Sequence, residues 1–295
     1  MKEIVIISGK GGTGKTSLTA AFAALSRNAV FADCDVDAAD LHLILRPEVV
    51  EERAFKSGNE ARIQPELCSG CGICSSVCRF GALRKKCDAL GRIAYTVEPF
   101  ACEGCGLCVR LCPEQAILFP ERTCGTLFIS STRFGPLVHA RLTAAAENSG
   151  KLVSLVRKEA KRVAEEEGRA FVLIDGPPGI GCPVIASVTG ADRVLVVAEP
   201  TLSGEHDLLR VMELTRHFGI RTLVCINKAD INEDAAARIE KLASERGAGI
   251  LGRIPYDEEV TAAQVRGLTL GEHGKGKTLA RVRAVWERLI QHEAE

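Results

Sequence analysis

The sequence predicts an α/β fold, a mostly parallel sheet with helices on both faces, interrupted by a small inserted α+β domain. Three observations carry that reading. Apolar runs alternate with helical stretches, a glycine-rich turn follows the first run, and eight of the thirteen cysteines fall in two copies of one duplicated spacing.

Composition sets the outer limits. A chain of 295 residues, 46% hydrophobic, can bury one large core and a small appendage. Thirty-eight basic residues balance thirty-eight acidic ones, which gives no electrostatic ground for a nucleic-acid partner or an anionic membrane. Neither an apolar run of about 18 residues nor a signal-peptide pattern is present, so no stable membrane insertion is expected. The expected setting is soluble and cytoplasmic, where cysteines stay reduced as thiolates for metal rather than pairing as disulfides.

The elements follow in order. "EIVIIS" is the first strand, and "SGKGGTGKTS", Ser8 to Ser17, leads from it into a helix. That stretch reads G-x-x-x-x-G-K-T. Backbone N–H groups of Gly11, Gly12, Thr13, Gly14, Lys15 and Thr16 are expected to cradle phosphates, with Ser17 closing the loop. Lys15 would reach the β- and γ-phosphates, and the Thr16 hydroxyl would ligate Mg2+. "AVFAD" is the second strand, after which "DCDVDAADL" turns at its end. "TLFIS", "FVLIDG", "RVLVVAE", "TLVCIN" and "GILGRIP" supply the later strands, separated by helical stretches such as "LVSLVRKEAKRVAEEEG". The last helix, "TLARVRAVWERLIQHEAE", puts Leu279, Val282, Val285, Trp286, Leu289 and Ile290 on one stripe. Its acidic end favours docking on the protein's own sheet over a membrane.

Between these pieces lies the duplication. Cys68, Cys71, Cys74 and Cys78 form C-x2-C-x2-C-x3-C, and Cys102, Cys105, Cys108 and Cys112 repeat it 34 residues later. The flanks repeat as well: "CSGCGICSSVCRFGAL" aligns with "CEGCGLCVRLCPEQAI". "GRIAYTV" between them reads as a strand, so each half is a cysteine loop, a helical turn and a strand. The expected organisation is 1–62 and 121–295 as one domain, with 63–120 inserted. Three closely spaced thiolates can take three corners of an iron–sulfur cubane and a distant one the fourth; glycines at 70, 72, 104 and 106 let the backbone turn closely. The alternative for such thiolates is a pair of zinc sites.

The insert resembles the bacterial two-cluster ferredoxin, in which the fourth cysteine of each run ligates the other cluster. The resemblance implies two 4Fe–4S clusters, one on Cys68, Cys71, Cys74 and Cys112, the other on Cys102, Cys105, Cys108 and Cys78. Arg79 departs from it, standing where that family carries proline. Around the insert, K-G-G-T-G-K-T is the deviant Walker A of the MinD, ParA, Mrp and nitrogenase iron protein superfamily, which the chain resembles over nearly all its remaining length. The resulting expectation is a P-loop NTPase fold and an ATPase working as a homodimer with nucleotide at the interface.

In that superfamily Lys10 would reach across the dimer to the other subunit's phosphates and neutralise charge on the transferred phosphoryl. "DCDVDAADL" resembles the first switch, giving Asp35 the attacking water, and "DGPPG" the second, giving Asp175 the Mg2+ ion; Asp33 reads as structural. Asn227 of "NKAD", with the backbone around Pro255, would contact adenine, although Asp230 keeps GTP open. Cys182 stands seven residues after Asp175, as a cluster-ligating cysteine does in the nitrogenase iron protein, and either faces the dimer axis or is plain packing. Cys34 and Cys225 read as core, while Cys87 and Cys124 have no assigned role.

The sequence favours an ATP-switched dimer delivering electrons or an iron–sulfur unit to a redox or metallocofactor-assembly partner protein; the alternatives are a MinD-like positioning ATPase with redox-sensing or structural clusters, and a ferredoxin-type electron carrier.

Overall fold

The structure is a computed structural model that describes residues 1–87, 91–143 and 148–291. The chain divides into two compact units, one made of Met1–Arg53, Leu127–Arg141 and Ser149–Glu295, the other of Ala54–Thr126 and Leu142–Asn148.

In chain order, β1 (Lys2–Ser8) leads into α1 (Lys15–Leu25), β2 (Ala29–Asp33), α2 (Leu41–Leu45) and β3 (Glu48–Asn59). Then come β4 (Arg62–Ile63), α3 (Ile73–Val77), β5 (Leu83–Cys87), β6 (Ile93–Val97), α4 (Leu107–Arg110) and β7 (Ile117–Leu118). β8 (Glu121–Thr132), β9 (Gly135–Leu142), α5 (Ser149–Glu166), β10 (Phe171–Pro178), α6 (Cys182–Val188), β11 (Arg193–Ala198) and α7 (Leu202–His217) follow. The chain closes with β12 (Arg221–Asn227), α8 (Glu233–Glu245), β13 (Gly249–Ile254), α9 (Glu258–Val265), α10 (Leu270–His273) and α11 (Lys277–Gln291).

The main sheet has nine strands in the order β13-β12-β11-β1-β10-β2-β9-β8-β3. The pairs β1–β10, β1–β11, β10–β2, β11–β12, β12–β13 and β2–β9 are all parallel. This is why their sequences are unbroken apolar runs: a strand covered on both faces has no polar side, and Ile4 to Ile7 are fully buried. Two of the nine, β3 and β9, were not foreseen. β3 is the terminal strand of the order, and its sequence EVVEERAFKSGN buries little beyond Phe55, so it carries no apolar run.

The amphipathic stripe of α11 docks on the first unit's own core. Val282, Val285, Trp286 and Leu289 are buried, and the Trp286 ring lies 5.3 Å from Phe22 and 6.3 Å from Phe171. The acidic tail, residues 292–295, lies outside the described residues. Among those described, no helix is long and apolar enough to cross a membrane.

The second unit is built on two short antiparallel ladders, β4 with β7 and β5 with β6. Its core is small: Ala61, Cys74, Ala82, Leu83, Cys108 and Ile117. The sequence repeat is a repeat in space too. Gly70 and Gly104 both have positive φ, and a Cβ on either would collide with a backbone carbonyl, of Ile93 and of Asn59 respectively. Entry and exit of residues 61–119 touch, because the Glu60 N–H donates to the Pro120 carbonyl at 3.0 Å and the Asn59 amide to the Phe119 carbonyl at 2.9 Å.

Candidate functional site

Parallel strands deliver their C-terminal ends to one edge of the sheet, and the polar groups of the first unit gather there. Gly14, at φ 87°, ends the loop after β1 and caps α1 without a side chain. The first amides of that helix have no intrahelical acceptors, which makes its N-terminus a seat for an anion. A Cβ at Gly14 would strike the amide of Asn227. The loop borders an open cleft of about 810 Å³, whose walls include Gly11 to Ser17, Asp35, Pro177 and Gln264.

One buried carboxylate organises the loop. Asp175, in β10, accepts from Lys15 Nζ at 2.9 Å and Thr19 Oγ1 at 3.0 Å on one oxygen, and from Thr16 Oγ1 at 2.7 Å on the other. Lys15 is also 3.9 Å from Asp35. Burial alone would favour a neutral Lys15, but Asp175, Asp35 and Asp33 outweigh it and leave the ammonium harder to deprotonate than usual. Asp33 is buried completely; burial and then Asp175 push its carboxyl well above the usual range against Lys15. It accepts the Asp35 and Leu41 N–H groups, each at 3.1 Å, and so shapes the turn. Burial raises Asp35 to about 6, Lys15 opposing and Asp175 adding. Three carboxylates around one ammonium leave the site short of positive charge, which suits a divalent cation arriving with phosphate. Thr13 Oγ1, buried with no partner among the described residues, fits such a ligand too.

The remaining expected residues are placed differently from one another. Asn227 donates to the Thr13 carbonyl at 2.7 Å, bracing the loop from behind, and neither Asn227 nor Pro255 borders the cleft. Asp230 accepts the Tyr256 N–H at 2.6 Å. Lys10 folds onto its own chain, where Nζ lies 3.0 Å from Glu199, 3.2 Å from Thr201 Oγ1 and 3.1 Å from Ser203 Oγ. Three polar residues escaped sequence reasoning. Glu199 pairs with Lys10 and Lys228, Lys228 donates to the Gly12 carbonyl at 2.9 Å, and Gln264 donates to Ser17 Oγ at 2.6 Å. A carboxylate closing "RVLVVAE" beside the loop strand was the available signal for Glu199; the other two depend on tertiary adjacency alone.

In the second unit Cys68, Cys71, Cys74 and Cys112 line one cavity together with Tyr95, Ile63 and Ile117. Burial pushes the Cys74 thiol up, and Cys68, Cys108 and Cys71 add to it against a backbone N–H from Ser75. Cys108 rises likewise by burial, with Cys102, Cys105 and Cys78 as neighbours. The cavity thus joins three cysteines of the first run to the last of the second. Among the described residues no three His, Cys, Asp or Glu converge as ligands of a single ion; a cubane instead spaces its thiolates over separate corners. The other thiols divide by burial. Cys34, Cys225 and Cys124 are buried, Cys124 donating to the Ser57 carbonyl at 3.2 Å, whereas Cys87 and Cys182 are exposed. Cys182 opens the first turn of α6.

A family model described as the CobQ/CobB/MinD/ParA nucleotide binding domain matches residues 4–270. An uncharacterized protein of Methanocaldococcus jannaschii is 35% identical over 239 residues, 78% of this chain and 79% of that one. The septum site-determining protein MinD of Pyrococcus horikoshii, solved with Mg-ADP, shares the fold with a TM-score of 0.60 at 18% identity, over 98% of this chain and 96% of that one. The MinC:MinD cell division protein complex of Aquifex aeolicus gives 0.57 at 20% identity, over 100% and 98%. At those identities the two structures speak for the α/β P-loop fold and no further. The family model, which spans the loop, both aspartate turns and the sheet that aligns them, is decisive: the chain belongs to the CobQ/CobB/MinD/ParA nucleotide-binding domain family.

Proposed function

We propose that the chain is an ATP-binding and ATP-hydrolysing switch of the MinD type, a homodimer with nucleotide at its interface. The observation that carries this is the grip of Lys15, Thr16 and Thr19 on Asp175 at the head of α1. In the proposed complex the N–H groups of Gly11 to Thr16 take the phosphates, and Lys15 turns from Asp175 toward the β- and γ-phosphates. Thr16 and Asp175 would hold Mg2+, which supplies charge neutralisation across the phosphate oxygens. Asp35 orients the attacking water. Lys10 is supplied by the other subunit, while Asn227 and the segment at Pro255, which lie outside the walls of the cleft, would meet a base only beyond it. That relatives of this fold were solved with Mg-ADP and with a MinC partner supports the reading.

A second reading concerns the cysteines and rests on the cavity lined by Cys68, Cys71, Cys74 and Cys112. Its donor set of thiolates alone, on glycine turns, fits an iron–sulfur cluster; Cys102, Cys105, Cys108 and Cys78 would hold a second. Such clusters are one-electron carriers, which would make the switch an agent of electron or iron–sulfur delivery to a redox or metallocofactor-assembly partner protein.

Two experiments test these readings. Lys15→Ala should lose nucleotide binding, whereas Asp35→Ala should bind ATP and stay associated, as read by sedimentation with ATP and with a non-hydrolysable analogue. Retained ATP binding by Lys15→Ala would sink the first reading. Anaerobically purified protein should carry about eight irons; zinc without iron would sink the second.

A further inference from the structure

We propose that Arg133 is a positioning residue for Asp35: its guanidinium ties the helix that follows Asp35 to the segment that follows Gln264, and so fixes where the water-orienting carboxylate stands. The functional half of this inference rests on the ATP hydrolysis proposed above, while the tie itself is geometric. Arg133 lies in the turn between β8 and β9. Its guanidinium donates to the Leu45 carbonyl at 2.7 Å and the Ile44 carbonyl at 3.1 Å. It also donates to both oxygens of Glu272, at 2.7 and 2.8 Å, and to the Gly267 carbonyl at 3.3 Å.

The helix in question cannot hold its place alone. α2 has five residues, too few to persist by themselves, and its final carbonyls lack intrahelical donors. Asp33 accepts the Leu41 N–H at its start, and Arg133 takes the carbonyls at its end, where a positive charge also suits the helix dipole. The Ala38 N–H donates to the Asp35 carbonyl at 3.0 Å, so Asp35 to Leu45 form one short run of chain held at both ends. Leu43 and Ile44 of that run border the same cleft as Asp35.

The other end of the tie leads back to the phosphate loop. Gly267 and Glu272 follow α9, whose Gln264 borders the cleft and donates to Ser17 Oγ at 2.6 Å. A second arginine runs beside the first: Arg46, the C-cap of α2 at φ 48°, donates to the Arg266 carbonyl at 3.0 Å, and a Cβ at Gly267 would strike its guanidinium. Glu272 is itself fixed, since it closes a capping box with Thr269. Burial tends to raise its carboxyl, yet Arg133 and the Thr269 N–H outweigh that and hold it below the usual range. Only a planar fork can serve two helix-end carbonyls and a carboxylate together. A carboxylate that orients water loses rate when it is slightly misplaced, whereas phosphates held by the loop amides bind as before. Arg133 should therefore act on turnover without touching nucleotide.

The test has two readouts on the full chain, at a temperature where parent and variant are both folded. With Mg-ATP, Arg133→Ala should lower kcat about tenfold and leave KM within about twofold of the parent. Free guanidinium at low millimolar concentration should restore much of that kcat; because guanidinium weakens folding, it cannot rescue a variant that has merely lost stability. Hydrogen exchange, which needs no turnover, should show the amides of residues 36–45 exchanging about tenfold faster in Arg133→Ala than in the parent. An unchanged kcat would overturn the inference, as would a KM that rises as far as kcat falls, a loss of kcat that guanidinium does not restore, or equal exchange. Faster exchange in a protein whose parent never hydrolyses ATP would uphold the tie and overturn the hydrolysis reading instead.

Discussion

The phosphate loop and the cysteine unit solve opposite problems. Around Lys15 the ammonium already has its counterpart in Asp175, and the core of Phe22, Phe31, Leu173 and Trp286 owes nothing to a ligand. In the second unit two of the six buried core residues are Cys74 and Cys108, and only Leu83 and Ile117 among the rest are large. The first region can fold and wait for its ligand. The second has only a small apolar core, the condition in which the proposed clusters would add most to stability.

That contrast predicts its largest effect in the second unit. Replacing Cys74 and Cys108 together by serine should open residues 54–126 to limited proteolysis while the first unit still melts cooperatively; equal protease resistance in both units would remove the distinction. Next in size, Lys15→Ala strands the buried Asp175 carboxylate and should cost about 3–5 kcal/mol in a urea titration followed at Trp286. Little change would mean that the loop is less self-sufficient than its contacts imply. A smaller loss, about 2 kcal/mol, is expected for Arg133→Ala. Its guanidinium binds the carbonyls of Leu45 at 2.7 Å and Ile44 at 3.1 Å and pairs with Glu272 at 2.7 Å, steadying the helix that follows Asp35.

The smallest effect is one of pH. Burial holds Asp35 at about 6 in the folded chain against an ordinary value of 3.8, so the folded state binds that proton more tightly than the unfolded state. Stability should therefore fall as pH rises between those two values and stay at the lower level above them. Asp35→Asn should flatten that part of the parent's melting-temperature profile; an identical profile would remove Asp35 from the account.

How much of this could be read from the sequence depended on range. Strands such as Ile4 to Ile7 are legible because burial on both faces leaves only apolar residues, and α11 because its stripe has helical spacing. β3 was illegible for the converse reason, its face being half solvated and its sequence charged. At the site, the loop and its aspartates announce themselves as local patterns. The bonds from Asn227 to Thr13, Lys228 to Gly12 and Gln264 to Ser17 each span more than two hundred residues, and no local pattern encodes them. The contacts of Lys10 with Glu199, Thr201 and Ser203 were invisible too, since they join residues far apart in the chain.

The hydrogen bond from Glu60 to Pro120 has a consequence for how such a chain could arise. Because the chain departs and returns at one point, the segment between behaves as a cassette on a single stem. Its insertion by gene fusion would have required no new path across the sheet, and closing the stem with a short turn amounts to excision. Cassettes from other cysteine-rich proteins could be grafted at the same two residues, which makes Asn59 and Glu121 natural seams for building hybrid switches.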